Sequence, residues 1–340
     1  MGQLHYLLGL LLLFICSFIW IASSLGNQPL SIAFTPLSAD DNVTVTSDAG
    51  IIPSNQSELA IKDVNISEPK IPSYLPIANS LDHYAHSSIP FKLWQKAGSM
   101  NMSDNREKDI RSWLDLNPRL RHEILTDQSA EEYVREYFAD YSEVLELYLS
   151  LPIPILKADL LRQLILYADG GIWSDLDVTC HQPIHTWIPE QYQNRTNVVV
   201  GLEFDGHQFA SWTLMTKPKT SHIVAVIKYV IDGLKASATQ HNVTTAELNM
   251  TMVGNVVDVT GPQAMTVAIL QNLQKEMGIP FDKANITDIR EPTLFQDVLV
   301  LPNAAFASAQ GGFPQDRGPY LVEHHYAGSW KNANGGETKS

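Results

Sequence analysis

Between Ile155 and Val178 a helical apolar pattern halts on two adjacent glycines, then resumes as a short hydrophobic run that ends in two carboxylates: ILKADLLRQLILYADGGIWSDLDV. That order dictates a helix, a tight reversal and a strand with an acidic tip. Leu156, Leu160, Leu161, Leu164, Ile165 and Ala168 recur at helical spacing, so one face is buried. Asp159 and Arg162, three apart, share a helix face. Gly170-Gly171 stops the helix, because glycine enters the left-handed region without steric penalty. If Asp175-Leu176-Asp177 is extended, both carboxylates stand on one side and Leu176 on the other. Such a pair is a hard-oxygen site, suited to Mg²⁺ or Mn²⁺ with positions left open for phosphate oxygens. The plain alternatives are a solvated D-x-D turn and a helix-surface Asp159–Arg162 pair worth a few tenths of a kcal/mol.

The chain has 340 residues, 44% of them apolar, which is enough for one large domain or two small ones. Its formal net charge of −14 argues against an extended nucleic-acid surface. Cys16 lies in the N-terminal apolar run and leaves Cys180 alone in the globular part, so no disulfide is expected there. Cys180 reads as a small buried hydrophobe. Residues Tyr6 to Ala22 are apolar almost without a break. As a helix they reach roughly 25 Å, and extension to Leu25 completes a span of about 30 Å. The expected organisation is a cytosolic tail (1–5), a signal anchor (6–25) and a luminal stem rich in Ser, Asn, Asp and Pro (26–87). A cleaved signal peptide, cut near Ala22-Ser23-Ser24, is the competing reading. Eight sequons start at Asn42, Asn55, Asn65, Asn101, Asn194, Asn242, Asn249 and Asn285 and favour a secretory lumen.

The folded domain is expected over 88–332, with a disordered tail at 333–340. It opens on a strand at Ile89–Gln95. A helix starts near Ser103 and ends near Asn117, and a second strand covers His122–Thr126. Ser129–Tyr148 makes one long helix or two short ones, with Ser129 and Glu132 as a capping box. Strands are read at Asn197–Phe204, Phe209–Thr216 and Gln296–Leu301, and helices at Ser221–Ala236 and Gln263–Met277. Strands alternating with helices mean an α/β layer, mostly parallel, with ligands beyond the carboxyl ends of the strands. Glu203 and Asp205 close one strand at that same end. The chain closes on Glu323-His324-His325-Tyr326-Ala327-Gly328-Ser329-Trp330-Lys331.

Asp159, Arg162, Gly170, Gly171, Asp175 and Asp177 together resemble the D-x-x-R helix and G-G-x-x-x-D-x-D strand of glycosyltransferase family 32, the D-x-D group that includes fungal initiation-specific α-1,6-mannosyltransferases. The unit is also similar to the sugar-transferring core of clostridial glucosylating toxins. The resemblance implies a nucleotide-sugar-binding GT-A fold and transfer with retention. It implies that Trp94 lies beside the nucleotide base, and that Asp159 and Arg162 hold donor sugar or diphosphate. The tail resembles the H-x-x-G-x-x-K closure of related enzymes, which implies His325 as a metal ligand beside Asp175 and Asp177, with Lys331 on the diphosphate. Gly328 falls on that pattern, and Ser329 and Trp330 match the family's nucleotide pocket. An imidazole beside carboxylates favours Mn²⁺ over Mg²⁺. The implied donor is GDP-mannose and the acceptor an N-glycan, or alternatively an inositol phosphorylceramide. The place is the Golgi or ER membrane, in company with other Golgi glycosyltransferases. No nucleophile is assigned. Asp175 to Thr179 also fits the D-x-D-x-T of haloacid-dehalogenase-type phosphatases, but no acidic dipeptide follows downstream to complete that metal site. An inactive luminal sugar-binding relative is the non-enzyme alternative.

Overall fold

Runs in which every residue is apolar become strands covered on both faces. In the computed structural model, which describes residues 88–312, 316–332 and 335, apolar Val298–Leu301 and the largely apolar Val198–Glu203, with Gly171–Ser174 and Thr213–Thr216, are buried at every position and form the middle of one large sheet. The expected anchor and stem lie outside the described residues. Among the described residues no helix is long and apolar enough to cross a membrane.

The strands are β1 (Lys92–Lys96), β2 (Arg121–Leu125), β3 (Gly171–Ser174), β4 (Val178–Cys180), β5 (Val198–Glu203), β6 (Gln208–Phe209), β7 (Thr213–Thr216), β8 (Thr293–Phe295), β9 (Val298–Leu301) and β10 (Val322–His324). The helices are α1 (Asp104–Leu116), α2 (Asp127–Tyr137), α3 (Ser142–Ser150), α4 (Pro154–Ala168), α5 (Ser221–Gln240), α6 (Met250–Val253), α7 (Val256–Val259), α8 (Pro262–Met277) and α9 (Asn303–Ala307). The main sheet runs β2-β1-β3-β7-β5-β9-β8, with β6 paired to β5. β2, β1, β3, β5 and β9 share one direction, while β7 and β8 run against their neighbours. The sheet is therefore mixed, with most of its strands running one way. β4 and β10 form a separate antiparallel ribbon of three residues each.

Period-two alternation divides the core in two. Trp94, Trp173, Val198, Val200, Val298 and Val300 face a core shared with α2 to α5 and α8. Leu93, Ile172, Val199, Leu299 and Leu301 face a second core completed by Trp113 of α1, Phe306 of α9 and Val322 of β10. The long helix α4 begins on Pro154, whose missing N–H is no loss in a first turn. Asp169 caps its end, and Gly170 follows with φ of +65°. Gly171 follows at φ of +100°, and a Cβ there would stand 2.7 Å from the Lys92 carbonyl. The double glycine thus reverses the chain and lets β3 lie against β1.

Several expectations change. The Ser129–Tyr148 segment is two helices, α2 and α3. Thr126 caps the first: Ser129 N donates to its Oγ1 at 3.3 Å, and Thr126 N donates to Ser129 Oγ at 2.8 Å. The strand expected over Phe209–Thr216 is broken at Ala210–Trp212, between β6 and β7. The D-x-D is not extended, since Leu176 and Asp177 form a turn between β3 and β4. The domain also reaches past residue 332. Gly335 is buried and its carbonyl accepts from Ile155 N at 2.8 Å, in the first turn of α4. The sequon asparagines among the described residues, Asn101, Asn194, Asn242, Asn249 and Asn285, are all exposed.

Candidate active site

Asp175 leaves the carboxyl end of β3, where the antiparallel β7 has just begun. Its N–H donates to the Trp212 carbonyl at 2.8 Å, which fixes the backbone. Its Oδ1 accepts from Trp173 Nε1 at 2.8 Å and from Arg162 at 3.1 Å. Arg162 also donates to Asp159 Oδ1 at 3.2 Å, and Thr260 donates to Asp159 Oδ2 at 2.8 Å. Arg162 and Asp159 are only 4% and 3% exposed, so the helix-surface pair is ruled out. Burial pushes Asp159 up to about 6, against the pull of Arg162 and Thr260. Arg162 is a fixed bridge between two carboxylates, with its guanidinium 5.3 Å from the Trp173 ring centre. Among the described residues its buried Nε has no hydrogen-bond partner.

Asp177 stands in the turn after β3, where β10 crosses. His324 Nε2 lies 3.3 Å from its Oδ2, and Ala327 N donates to the same oxygen at 3.0 Å. The His325 amide donates to the Asp177 carbonyl at 2.9 Å. Burial works against the Asp177 carboxylate, but His324 and the Ala327 amide outweigh it and hold its pKa below the usual range. The ligand atoms of Asp175, Asp177 and His324 lie within 4.8 Å of one another. His324 stacks on Trp212 with ring centres 4.3 Å apart, and its Nδ1 is buried without a partner among the described residues. Two carboxylates and one imidazole fit Mn²⁺ or a similar divalent cation.

The tail therefore meets the D-x-D, as the sequence expects, but through His324. The His325 side chain points to Thr179, at 2.8 Å, and to Asp109, at 3.3 Å. Period two gives the reason: on β10, Val322 and His324 share the inward face. Three residues are too few for that alternation to stand out in the sequence, and only the pairing with β4 fixes it. Trp94 is 1% exposed, donates to the Gly170 carbonyl at 3.1 Å and carries Lys92 over its ring, so its faces are used within the fold. Gly328 takes φ of +61° and opens a turn in which Lys331 N donates to its carbonyl at 2.9 Å. Ser329 is exposed on that turn, Trp330 packs against the α4-side core, and Lys331 Nζ is 5.8 Å from the Trp330 ring centre. Cys180 is buried and its thiol is pushed up to about 12, as suits an inert side chain.

Glu203 ends β5 at the same edge of the sheet and is 2% exposed. Its carboxylate takes the Gln208 amide at 2.5 Å and the Gln310 amide at 3.3 Å. Burial pushes the group up to about 8, against the pull of both amides. An acid whose folded pKa exceeds its unfolded value, here 4.5, binds its proton better when folded. Its stabilising contribution is full below 4.5 and is lost as pH rises through about 8. Glu203→Gln, neutral at every pH, is expected to flatten this loss. In denaturant titrations, stability relative to wild type should rise from about pH 5 to pH 8, by an amount of order a few kcal/mol. A constant difference across that range would refute the assignment.

Asp175, locked by a buried arginine, and Asp177, met by a tail strand, form with His324 a candidate divalent-cation site. Residues 103–194 match the family described as "Glycosyltransferase sugar-binding region containing DXD motif". It is similar to the "Initiation-specific alpha-1,6-mannosyltransferase" of Schizosaccharomyces pombe, at 32% identity over 73% of this chain and 65% of that protein. The chain thus spans just under two thirds of that relative. The Candida albicans protein of the same description is 26% identical over 72% of each chain. "Inositol phosphoceramide mannosyltransferase 3" of Schizosaccharomyces pombe is 39% identical, but over 22% of this chain and 20% of that protein.

Proposed function

We propose that this chain is a retaining glycosyltransferase of the GT-A type that moves mannose from GDP-mannose to a glycan acceptor in the secretory pathway. The carrying observation is the convergence of Asp175, Asp177 and His324 within 4.8 Å, backed by the buried Asp159–Arg162–Asp175 chain. A glycan acceptor is favoured over a glycolipid because the match to proteins described as α-1,6-mannosyltransferases runs over most of the chain, whereas the inositol phosphoceramide match is confined to about a fifth.

A divalent cation, Mn²⁺ by this donor set, would supply Lewis-acid stabilisation of the negative charge on the departing nucleoside diphosphate. Asp175, Asp177 and His324 would hold it. Trp173 and Arg162 fix the Asp175 carboxylate in advance, so little reorganisation is left for the moment of reaction. Asp159, held by Arg162 and Thr260, keeps Arg162 oriented toward Asp175. Lys331 and Ser329, on an exposed turn, would close over the diphosphate, with Trp330 beside the nucleotide. The 6–25 anchor, the luminal stem and the five exposed sequons suit a single-pass Golgi or ER enzyme working alongside other glycosyltransferases of that compartment.

A purified luminal segment from residue 67 onward, screened against nucleotide sugars with Mn²⁺, tests the reading by diphosphate release. Turnover of GDP-mannose and its arrest by chelator are expected. Preference for a UDP-sugar would overturn the donor, and release that continues in chelator would overturn the cation.

A further inference from the structure

A strand sends neighbouring side chains to opposite faces, and β10 ends on His324 with a second histidine directly after it. His324 turns inward to Asp177. His325, just past the strand, turns outward to a pair of residues with no part in the site so far. Thr179 is the middle residue of β4, and its hydroxyl donates to Asp109 Oδ1 at 2.5 Å. That leaves the Thr179 oxygen to accept from His325 Nε2 at 2.8 Å, with Asp109 Oδ1 3.3 Å from the same nitrogen.

Asp109 belongs to α1 and is 9% exposed. A carboxylate so nearly buried is unfavourable unless it is paired and hydrogen-bonded. Thr179 and His325 supply that pairing. The helix that carries it is firmly placed. Trp113 Nε1 donates to the Val178 carbonyl at 2.9 Å, and Ser112 Oγ accepts from Cys180 N at 2.8 Å, so α1 grips both ends of β4. The β4–β10 ribbon, in contrast, is three residues long on each side, and a two-stranded ribbon of that length has little stability of its own. The site still depends on it, because the tail brings His324 and the Ala327 amide to Asp177.

We propose that Asp109 and Thr179 are positioning residues that catch His325 and thereby hold His324 at the D-x-D pair. His325 is a latch and not a ligand: one histidine faces the cation and its neighbour fixes where the first one stands. The inference rests on reading Asp175, Asp177 and His324 as a cation–diphosphate site.

The test compares the full chain with His324→Ala, His325→Gln, Thr179→Val, Asp109→Asn and the double variant Asp109→Asn/His325→Gln. Mn²⁺ alone is titrated by electron paramagnetic resonance, and amide exchange is followed over residues 322–327. His324→Ala should weaken Mn²⁺ binding by well over tenfold, because a ligand is worth more than the 10–100-fold of its supporting partners. Each latch variant should weaken it by about tenfold. Each should also speed exchange of the His325 and Ala327 amides by at least about tenfold, with α4 and β9 unchanged. The double variant should be no worse than its weaker-binding parent, since both changes open one latch. Thr179→Val keeps the comparison decisive if Asp109→Asn loosens α1, because valine retains the β-branch and lacks only the hydroxyl. Tail exchange unmoved by both Thr179→Val and Asp109→Asn would overturn the latch. So would His325→Gln weakening Mn²⁺ as much as His324→Ala, which would make His325 a ligand. Unchanged Mn²⁺ binding in His324→Ala would instead sink the cation reading, while the exchange rates still decide whether the latch exists.

Discussion

Asp177→Asn is expected to lower turnover at least about a hundredfold, because supporting partners of metal ligands alone are worth 10–100-fold and a ligand should exceed them. The fold should survive. Asparagine keeps the shape and one acceptor oxygen, so the Ala327 amide retains a partner in place of Asp177 Oδ2. The native charge is also held in place at some expense, since burial opposes it while His324 and backbone amides keep the carboxylate ionised. Removing the charge therefore takes away cation binding while leaving packing intact. Excess chelator should bring the wild type down to the level of the variant and lower the variant no further. Asp175→Asn should be as inactive but less stable. Its Oδ1 serves both Trp173 and Arg162, and neutralising it leaves the buried Arg162 with Asp159 as its remaining carboxylate. Initial rates and thermal melts on the same samples separate the two effects. Full activity of Asp177→Asn, or of the wild type in excess chelator, would refute the cation-dependent reading.

The helix, double glycine and strand from Ile155 to Ser174 were legible because each step is local. Apolar spacing sets the helix, and positive φ at Gly170 and Gly171 sets the reversal. The Asp159–Arg162 pair was visible as a pair, but its burial was not, since Thr260 comes from a helix entry about a hundred residues later. The small ribbon was harder still. β4 and β10 are each too short to show a period, and their pairing joins segments more than 140 residues apart. Choosing between His324 and His325 turned on one residue of register. A one-residue slip moves every side chain to the other face, so a motif aligned by spacing alone picks the wrong neighbour easily. The end of the domain was misplaced for a similar reason. Gly335 looks like the start of a polar tail, yet it is buried and its carbonyl takes a free amide at the start of α4.

Truncation after Val322 is expected to abolish transfer, with a loss at least as large as that of Asp177→Asn. Most chain ends fray and tolerate removal, but this one supplies half of the site. Cutting there deletes His324, the Ala327 amide on Asp177 and the Gly328–Lys331 turn together. Both cores remain. The second core keeps Val322 but loses the His324 and Tyr326 rings from Trp212, and the first loses the flanking contacts of Trp330 and Gly335. The Ile155 amide loses the Gly335 carbonyl, but water can serve a first-turn N–H, so α4 should persist. The truncated chain should therefore melt cooperatively within a few degrees of the intact one while binding Mn²⁺ and nucleoside diphosphate far more weakly. A second form ended after Gly335 separates the site from the chain end. It keeps the ribbon, the turn and the α4 contact, and should bind and turn over donor like the full chain. Calorimetric titration with Mn²⁺ and GDP, alongside diphosphate release, reads all three forms. If the Val322 truncation binds and turns over donor as the intact chain does, the tail is no part of the site, and Asp175 and Asp177 must complete their coordination without His324.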